Sequence, residues 1–163
     1  MLLLLFQAGA ERYALDAATI VEVLPLLEIR PIPHAPQGVA GVFDFRGTPV
    51  PVVDSSFLLC GKPAEHRFST RITVVNYPDG SGGTRPLGVI VERASRTVRR
   101  DPAEFSDTGV NNGRAPYLGP VMRDADGMVQ WIDVGRLLPA DVRDVLFKPH
   151  MNPSWPPPIS KAS

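Results

Sequence analysis

Cys60 with His66 could in principle meet as a thiol–imidazole pair that supplies a nucleophile and its base. No second cysteine is present to pair with the first, and a lone cysteine closing a short apolar run reads as a half-buried structural residue. Ser55 and Ser56 stand beside Asp54 without the flanking glycines of a nucleophile elbow. The histidines, His34, His66 and His150, are scattered, and neither an HExxH pattern nor paired cysteines accompany them, so no metal site is expected. Asp124 and Asp126 open like a calcium loop, but Gly127 falls at the fourth position and Gly135 occupies the twelfth, where a bidentate Glu is needed. They read as a turn. Gly61-Lys62 lacks the leading glycine and the hydroxyl residue of a phosphate-binding loop, since Ser56 and Pro63 fill those places. Gly80, Gly82 and Gly83 do not open a helix, so they form a hairpin loop and not a phosphate cradle. No catalytic residue and no cofactor are expected, and the chain reads as a non-enzyme.

Recognition chemistry is better represented. The segment Gly41 to Asp54, GVFDFRGTPVPVVD, sets Arg46 and Gly47 between two runs of β-formers. A guanidinium at such a turn reaches a partner, while Gly47 is free to take φ > 0. Composition narrows the partner. The 163 residues carry 17 basic and 17 acidic side chains, so no global field draws in nucleic acid or an anionic membrane. Arg99-Arg100 is flanked by Asp101 and Glu104 and reads as a solvated face. A single cysteine excludes an internal disulfide and suits a reducing cytoplasm. The opening MLLLLF has no basic region before it and stops at Gln7, so it reads as a buried strand and not as a signal peptide or membrane span.

The elements that must position Arg46 follow from punctuation. Eighteen prolines, about twice the usual share, disfavour long helices and favour short strands with sharp connections. The N-terminal strand turns at Ala8 to Glu11 and returns through Arg12 to Leu15. Asp16 caps a short helical turn over Ala17, Ala18 and Thr19, and Ile20 to Leu27 is β-rich. Pro31, Pro33 and Pro36 space an extended connection. Pro49 and Pro51 blank one side of the strand after Arg46, which predicts an edge strand or a neighbouring bulge. Ser55 to Leu59 is a short helix stopped by Gly61. Lys62 to Ser69 is a polar loop. Strands are expected over Arg71 to Tyr77, Pro86 to Val91 and Arg93 to Arg99. Asp101 to Pro116 is a loop with an Asn111-Asn112-Gly113 turn, Tyr117 to Arg123 pairs with Met128 to Asp133, and two short helices close the domain over Val134 to Leu138 and Val142 to Phe147. One folded unit over residues 1–147 is expected, and the proline-rich tail 148–163 is expected to be disordered or extended. Many short strands at regular spacing predict a mainly β protein built from small barrels.

In order along the chain, Tyr13-Ala14-Leu15-Asp16, Ile20-Val21-Glu22-Val23-Leu24, the proline-bearing Pro33 to Pro36, Gly41 to Asp54, Gly88-Val89-Ile90-Val91-Glu92, and Trp131-Ile132-Asp133-Val134 with Leu137-Leu138 resemble the segments of CheW-like coupling proteins. The signature G-V-x-N-L-R-G-x-I-V-P-V-V-D-L of that family is similar to Gly41 to Asp54. The resemblance implies two small five-stranded β-barrel subdomains sharing an apolar core, with a few short helices. It implies a non-catalytic adaptor between a chemoreceptor of the methyl-accepting type and a CheA-like histidine kinase, one surface taking the kinase regulatory domain and another the cytoplasmic receptor tip. Such an adaptor is cytoplasmic, recruited to membrane-bound receptor arrays, and needs no cofactor, metal or nucleic acid.

By the same resemblance Glu22 and Arg46 form a partly exposed pair that shapes the strand and turn at the receptor side. Ile20, Val23 and Leu24 would supply apolar contacts, with Val91 and Thr97 as neighbours from the other barrel, and Gly41 would permit close backbone approach. The chain departs from the signature at Asp44-Phe45, which replace Asn-Leu and bring a negative charge into the site. It departs again at Pro49, at Ser55-Ser56 and at Glu92, which stands where an Asp is usual. The opening MLLLLF and LPLLEIRPIP look closest to adaptors of Wsp-type surface-sensing systems. The rival reading is a free-standing β-barrel that binds a peptide or ligand without a kinase, and a third has the tail docking an aromatic groove on another protein.

Overall fold

A computed structural model of the chain describes residues 1–110 and 113–147. The Asn111-Asn112 turn signal, His150 and the tail 148–163 lie outside the described residues. The strands are β1 (Leu2–Ala8), β2 (Glu11–Asp16), β3 (Ile20–Pro25), β4 (Val39–Phe45), β5 (Thr48–Asp54), β6 (Arg71–Pro78), β7 (Thr84–Arg99), β8 (Leu118–Asp124) and β9 (Gly127–Ile132). Two short α-helices, α1 (Ser55–Cys60) and α2 (Ala140–Leu146), and three 3-10 turns complete the described elements.

Pairing falls into two groups of five strands that share β7. One runs β3-β6-β7-β5-β4 and the other β7-β1-β2-β9-β8. The predicted mainly β class and the two five-stranded units are both present. Closure is not: the paired strands form a continuous nine-stranded sheet whose ends do not pair to seal a barrel. The separate strands expected over Pro86 to Val91 and Arg93 to Arg99 are one strand. Its first half pairs with β6 and β5, and its second half with β1. The change of group is absorbed at Arg93, whose φ is +51°, and by a register shift opposite Leu5 to Gln7.

β1 explains why the chain opens on an uninterrupted apolar run. It lies between β2 and β7 with both faces covered, so alternation is lost. Leu4, Phe6 and Ala8 enter a central core with Val53, Val75, Tyr77, Leu87, Val89, Val91 and Ile132, which joins the two groups. Leu3 and Leu5 face a smaller cluster with Ala14, Met122 and Val129 inside the second group. Phe43, Val50, Val52, Ile72, Val74 and Ile90 fill the first.

The doubled proline is accommodated by a strand that is half edge. Pro49 and Pro51 lie opposite Asp44 and Val42 of β4, and the second neighbour, β7, begins pairing only at Val52, beyond both prolines. Asp54 caps α1, accepting from the Ser56 and Phe57 amides, and Gly61 ends it in the left-handed region at φ +76°. The last helix expected over Val142 to Phe147 begins two residues earlier, directly after Pro139.

Candidate functional site

Arg46 and Gly47 are the two-residue tip of the β4–β5 hairpin, closed by the pairing of Phe45 with Thr48. Both have positive φ, +53° and +87°, as the right-handed twist of a two-residue hairpin requires. Glycine adopts this at no steric cost, but arginine does not. The turn is held by Asp44, whose Oδ1 accepts the Gly47 N–H at 2.7 Å. The negative charge that departs from the family signature is therefore committed to the turn backbone. The Arg46 guanidinium packs 4.9 Å from the Phe45 ring centroid and donates to Glu22 Oε2 at 2.6 Å. Arg46 and Glu22 are joined as expected, at the surface, with side chains 69% and 32% exposed.

Glu22 comes from β3, an end strand of the sheet. Burial alternates along it: Ile20, Glu22 and Leu24 are half-buried, whereas Val21 and Val23 are exposed. Ile20 packs against the central core and Leu24 against the core of the first group. Of the apolar residues expected here, Val23 offers surface, and Val21, which was not singled out, offers as much. A register shift between Ile20 and Glu22 places Val21 as the extra residue opposite β6. The signal that identifies this edge is a glutamate in phase with half-buried aliphatics while valines face water, the reverse of an ordinary solvated strand.

The other expected residues separate. Val91 is fully buried in the central core, so it has no surface for a partner and acts through packing. Thr97 is exposed, opposite Leu4 on the half of β7 that belongs to the second group. Gly41 is buried at φ +146°, and a Cβ there would lie 2.1 Å from the Arg30 carbonyl oxygen. Val42 and Arg30 exchange both backbone hydrogen bonds at 2.9 and 2.8 Å, so the glycine admits the 26–30 segment against β4, and its close approach is to this chain itself. That segment and β4 border a hollow of about 610 Å³ lined by Leu27, Arg30, Asp44, Gly47 and Pro49.

Three further features escaped sequence reasoning. Phe68 is fully exposed at the tip of the polar loop, whose backbone is tied down by Asp54 accepting from Ala64 N–H at 2.8 Å and Glu92 accepting from Glu65 N–H at 2.9 Å. Burial pushes the Asp54 carboxyl up, against its backbone donors, which pull it down. Ser55 and Ser56, unusual for the signature, are buried and satisfied by the Ile90 carbonyl and the Glu92 carboxylate. Asp124 is more than a turn residue. It binds Arg12 across the sheet through both oxygens, at 2.7 and 2.8 Å, and its hydrogen bonds to that guanidinium bring its pKa down to about 2. Among the described residues no group of three or more His, Cys, Asp or Glu side chains is placed to hold a metal ion.

A family model described as the CheW-like domain matches residues 2–142. The chemotaxis protein CheW of Rhizobium meliloti is 30% identical over 144 residues, covering 87% of this chain and 90% of that protein. The chemotaxis protein CheW of Treponema pallidum is 26% identical over 141 residues, covering 83% and 80%. The crystal structure of the scaffolding protein TtCheW from Thermoanaerobacter tengcongensis superposes with a TM-score of 0.73 at 20% identity, over 86% of this chain and 89% of that one, a likeness of fold.

Proposed function

We infer that this chain, which belongs to the CheW-like domain family, is a non-catalytic scaffold of a chemotaxis-type signalling system that couples a methyl-accepting chemoreceptor to a CheA-like histidine kinase. Its relatives are named chemotaxis proteins, and the fold likeness is to a scaffolding protein. The observation that carries the reading is the placement of Arg46. A strained left-handed residue that is neither Gly nor Asn stands at a hairpin tip, and its side chain is fixed at the surface by Glu22 and the Phe45 ring. An exposed ion pair contributes little to stability, so the fixed guanidinium serves a surface and not the core.

In this reading the Arg46 tip, Glu22, Val21 and Val23 make one contact face for the receptor tip. The apolar pair supplies area and the charged pair sets orientation. The kinase regulatory domain takes a different surface. The protein acts in the cytoplasm and reaches the membrane through the receptor; among the described residues no helix is long and apolar enough to cross it.

Titration calorimetry of the purified chain with a kinase regulatory domain and, separately, with a soluble receptor cytoplasmic fragment tests this. Binding to both, with the receptor affinity lost in Val23→Asp and Arg46→Ala, is expected. Binding to neither removes the adaptor reading in favour of a free-standing β module, and unchanged affinity in both variants removes this face from it.

A further inference from the structure

Among the described residues, Phe68 is the one large hydrophobic side chain left wholly in solvent. It is not carried on slack chain. The Arg67 carbonyl accepts the Thr70 N–H at 3.0 Å, which makes Phe68 the second residue of a tight turn, and Thr70 Oγ1 accepts the Arg67 N–H at 3.2 Å. The Ser69 carbonyl accepts the Ala94 N–H of β7 at 3.1 Å. With Asp54 and Glu92 holding the Ala64 and Glu65 amides, the loop is anchored on both sides of its tip. An aromatic side chain on a braced turn suits a protein interface, because little backbone freedom remains to be lost when the ring is buried.

A socket of matching character lies beside it on the same chain. The hollow of about 610 Å³ next to β4 has Leu27, Phe43 and Pro49 in its wall, and Glu28, Arg30 and Asp44 as its charged residues. Knob and hollow are neighbours. Pro25, two residues before Leu27, pairs with Arg71, three residues after Phe68, and Ile29 and Ala64 border one groove and join one core cluster. Phe68 leaves the hollow of its own chain unfilled, and Leu27 is exposed at its edge.

Their charges are opposite. At the hollow carboxylates outnumber cations by one, and the Glu28 carboxylate has no hydrogen-bond or ion-pair partner among the described residues. In the 64–71 stretch Arg67 is matched by Glu65, whereas the Arg71 guanidinium has no such partner among the described residues. A knob and a socket side by side, with opposite surplus charge, are self-complementary about a twofold axis.

We propose that this surface pairs with a second copy of the chain, the Phe68 of each copy entering the Leu27–Pro49 hollow of the other and the Arg71 of each meeting the other's Glu28. The contact does not rest on the adaptor reading. Two phenyl rings bring about 300–500 Å² of buried surface, less than a standard interface, so the association is reversible and depends on concentration.

Sedimentation equilibrium of the full chain over about 5–500 µM tests it. The mass should rise from monomer to dimer across that range, and Phe68→Ser should stay monomeric throughout. Phe68 touches only solvent, so its loss leaves the fold intact, as unchanged thermal unfolding would show. Glu28→Arg and Arg71→Glu should each weaken association at least about tenfold, and the double variant should recover it, because the charges are then exchanged across the axis. A chain that remains monomeric overturns the proposal and leaves the Phe68 knob to a different protein. A dimer that survives Phe68→Ser, or a double variant no stronger than either single one, overturns it as well.

Discussion

Arg46→Asn separates what the hairpin tip does for the fold from what it does for a partner. The substitution creates Asn-Gly, the pair that two-residue hairpins favour, at a tip where both residues already have positive φ. Relief of the left-handed strain on a long side chain gains about 1 kcal/mol. Against it stand the Glu22 ion pair, worth about 0.2–1 kcal/mol at 69% and 32% exposure, and the contact with the Phe45 ring, worth about 0.5 kcal/mol at an exposed site. The sum is close to zero. Urea unfolding should therefore give a variant within about 1 kcal/mol of the parent with an unchanged m-value. Binding to the receptor fragment should fall at least about tenfold, because the fixed guanidinium is gone. Glu22→Ala and the double variant close the cycle, with a stability coupling of about 1 kcal/mol or less. A stability loss above about 2 kcal/mol would show that the pair holds the fold, and unaltered binding of a stable variant would show that the tip contacts nothing.

Asp124→Asn should cost about 1–2 kcal/mol near pH 6. Full weight for a carboxyl moved from 3.8 to about 2 is about 2.4 kcal/mol, reduced because the pair adjoins water. Its folded pKa is depressed, so the contribution is present above the unfolded value and is lost as pH falls from about 4 through about 2; unfolding curves of parent and variant should converge across that window. Gly41→Ala should destabilise by about 2–4 kcal/mol in thermal or urea unfolding, since its Cβ would meet the Arg30 carbonyl at 2.1 Å. Val91→Ala should cost about 1–3 kcal/mol through a cavity in the shared core, whereas Val23→Asp should leave stability within about 0.5 kcal/mol and act on binding alone.

Punctuation and periodicity were legible where local chemistry decides conformation. Asp16 capping the 3-10 turn, Asp54 and Gly61 bounding α1, and Gly47 taking positive φ all follow from residues within a few positions of one another. The apolar run of β1 was legible as a buried strand; that both of its faces are covered is set by the two clusters packed on either side of it. The family resemblance, not the spacing, joined Glu22 to Arg46. Nothing local says that β7 is one strand, because its length is set by neighbours from both groups and its bend by a single residue, Arg93. The doubled proline was read correctly as a ladder blocked on one side, but where the second neighbour begins, at Val52, is a matter of tertiary register.

The sequence by itself determined the mainly β class, the helix caps, the hairpin tip at Arg46-Gly47 and the absence of recognised enzyme motifs, since each depends on short-range sterics, hydrogen bonding and residue type. Only the tertiary structure decided which strand residues face water. Val21 and Val23 are exposed while Val91 is sealed, although all are valines in strands, because exposure depends on whether another sheet layer covers a face. Tertiary structure likewise turned Asp124 from a turn residue into the partner of Arg12, more than a hundred positions away. Gly41 was legible as a place where backbone could approach; that the approaching backbone is Arg30 of the same chain was set by how the 26–30 segment packs on β4.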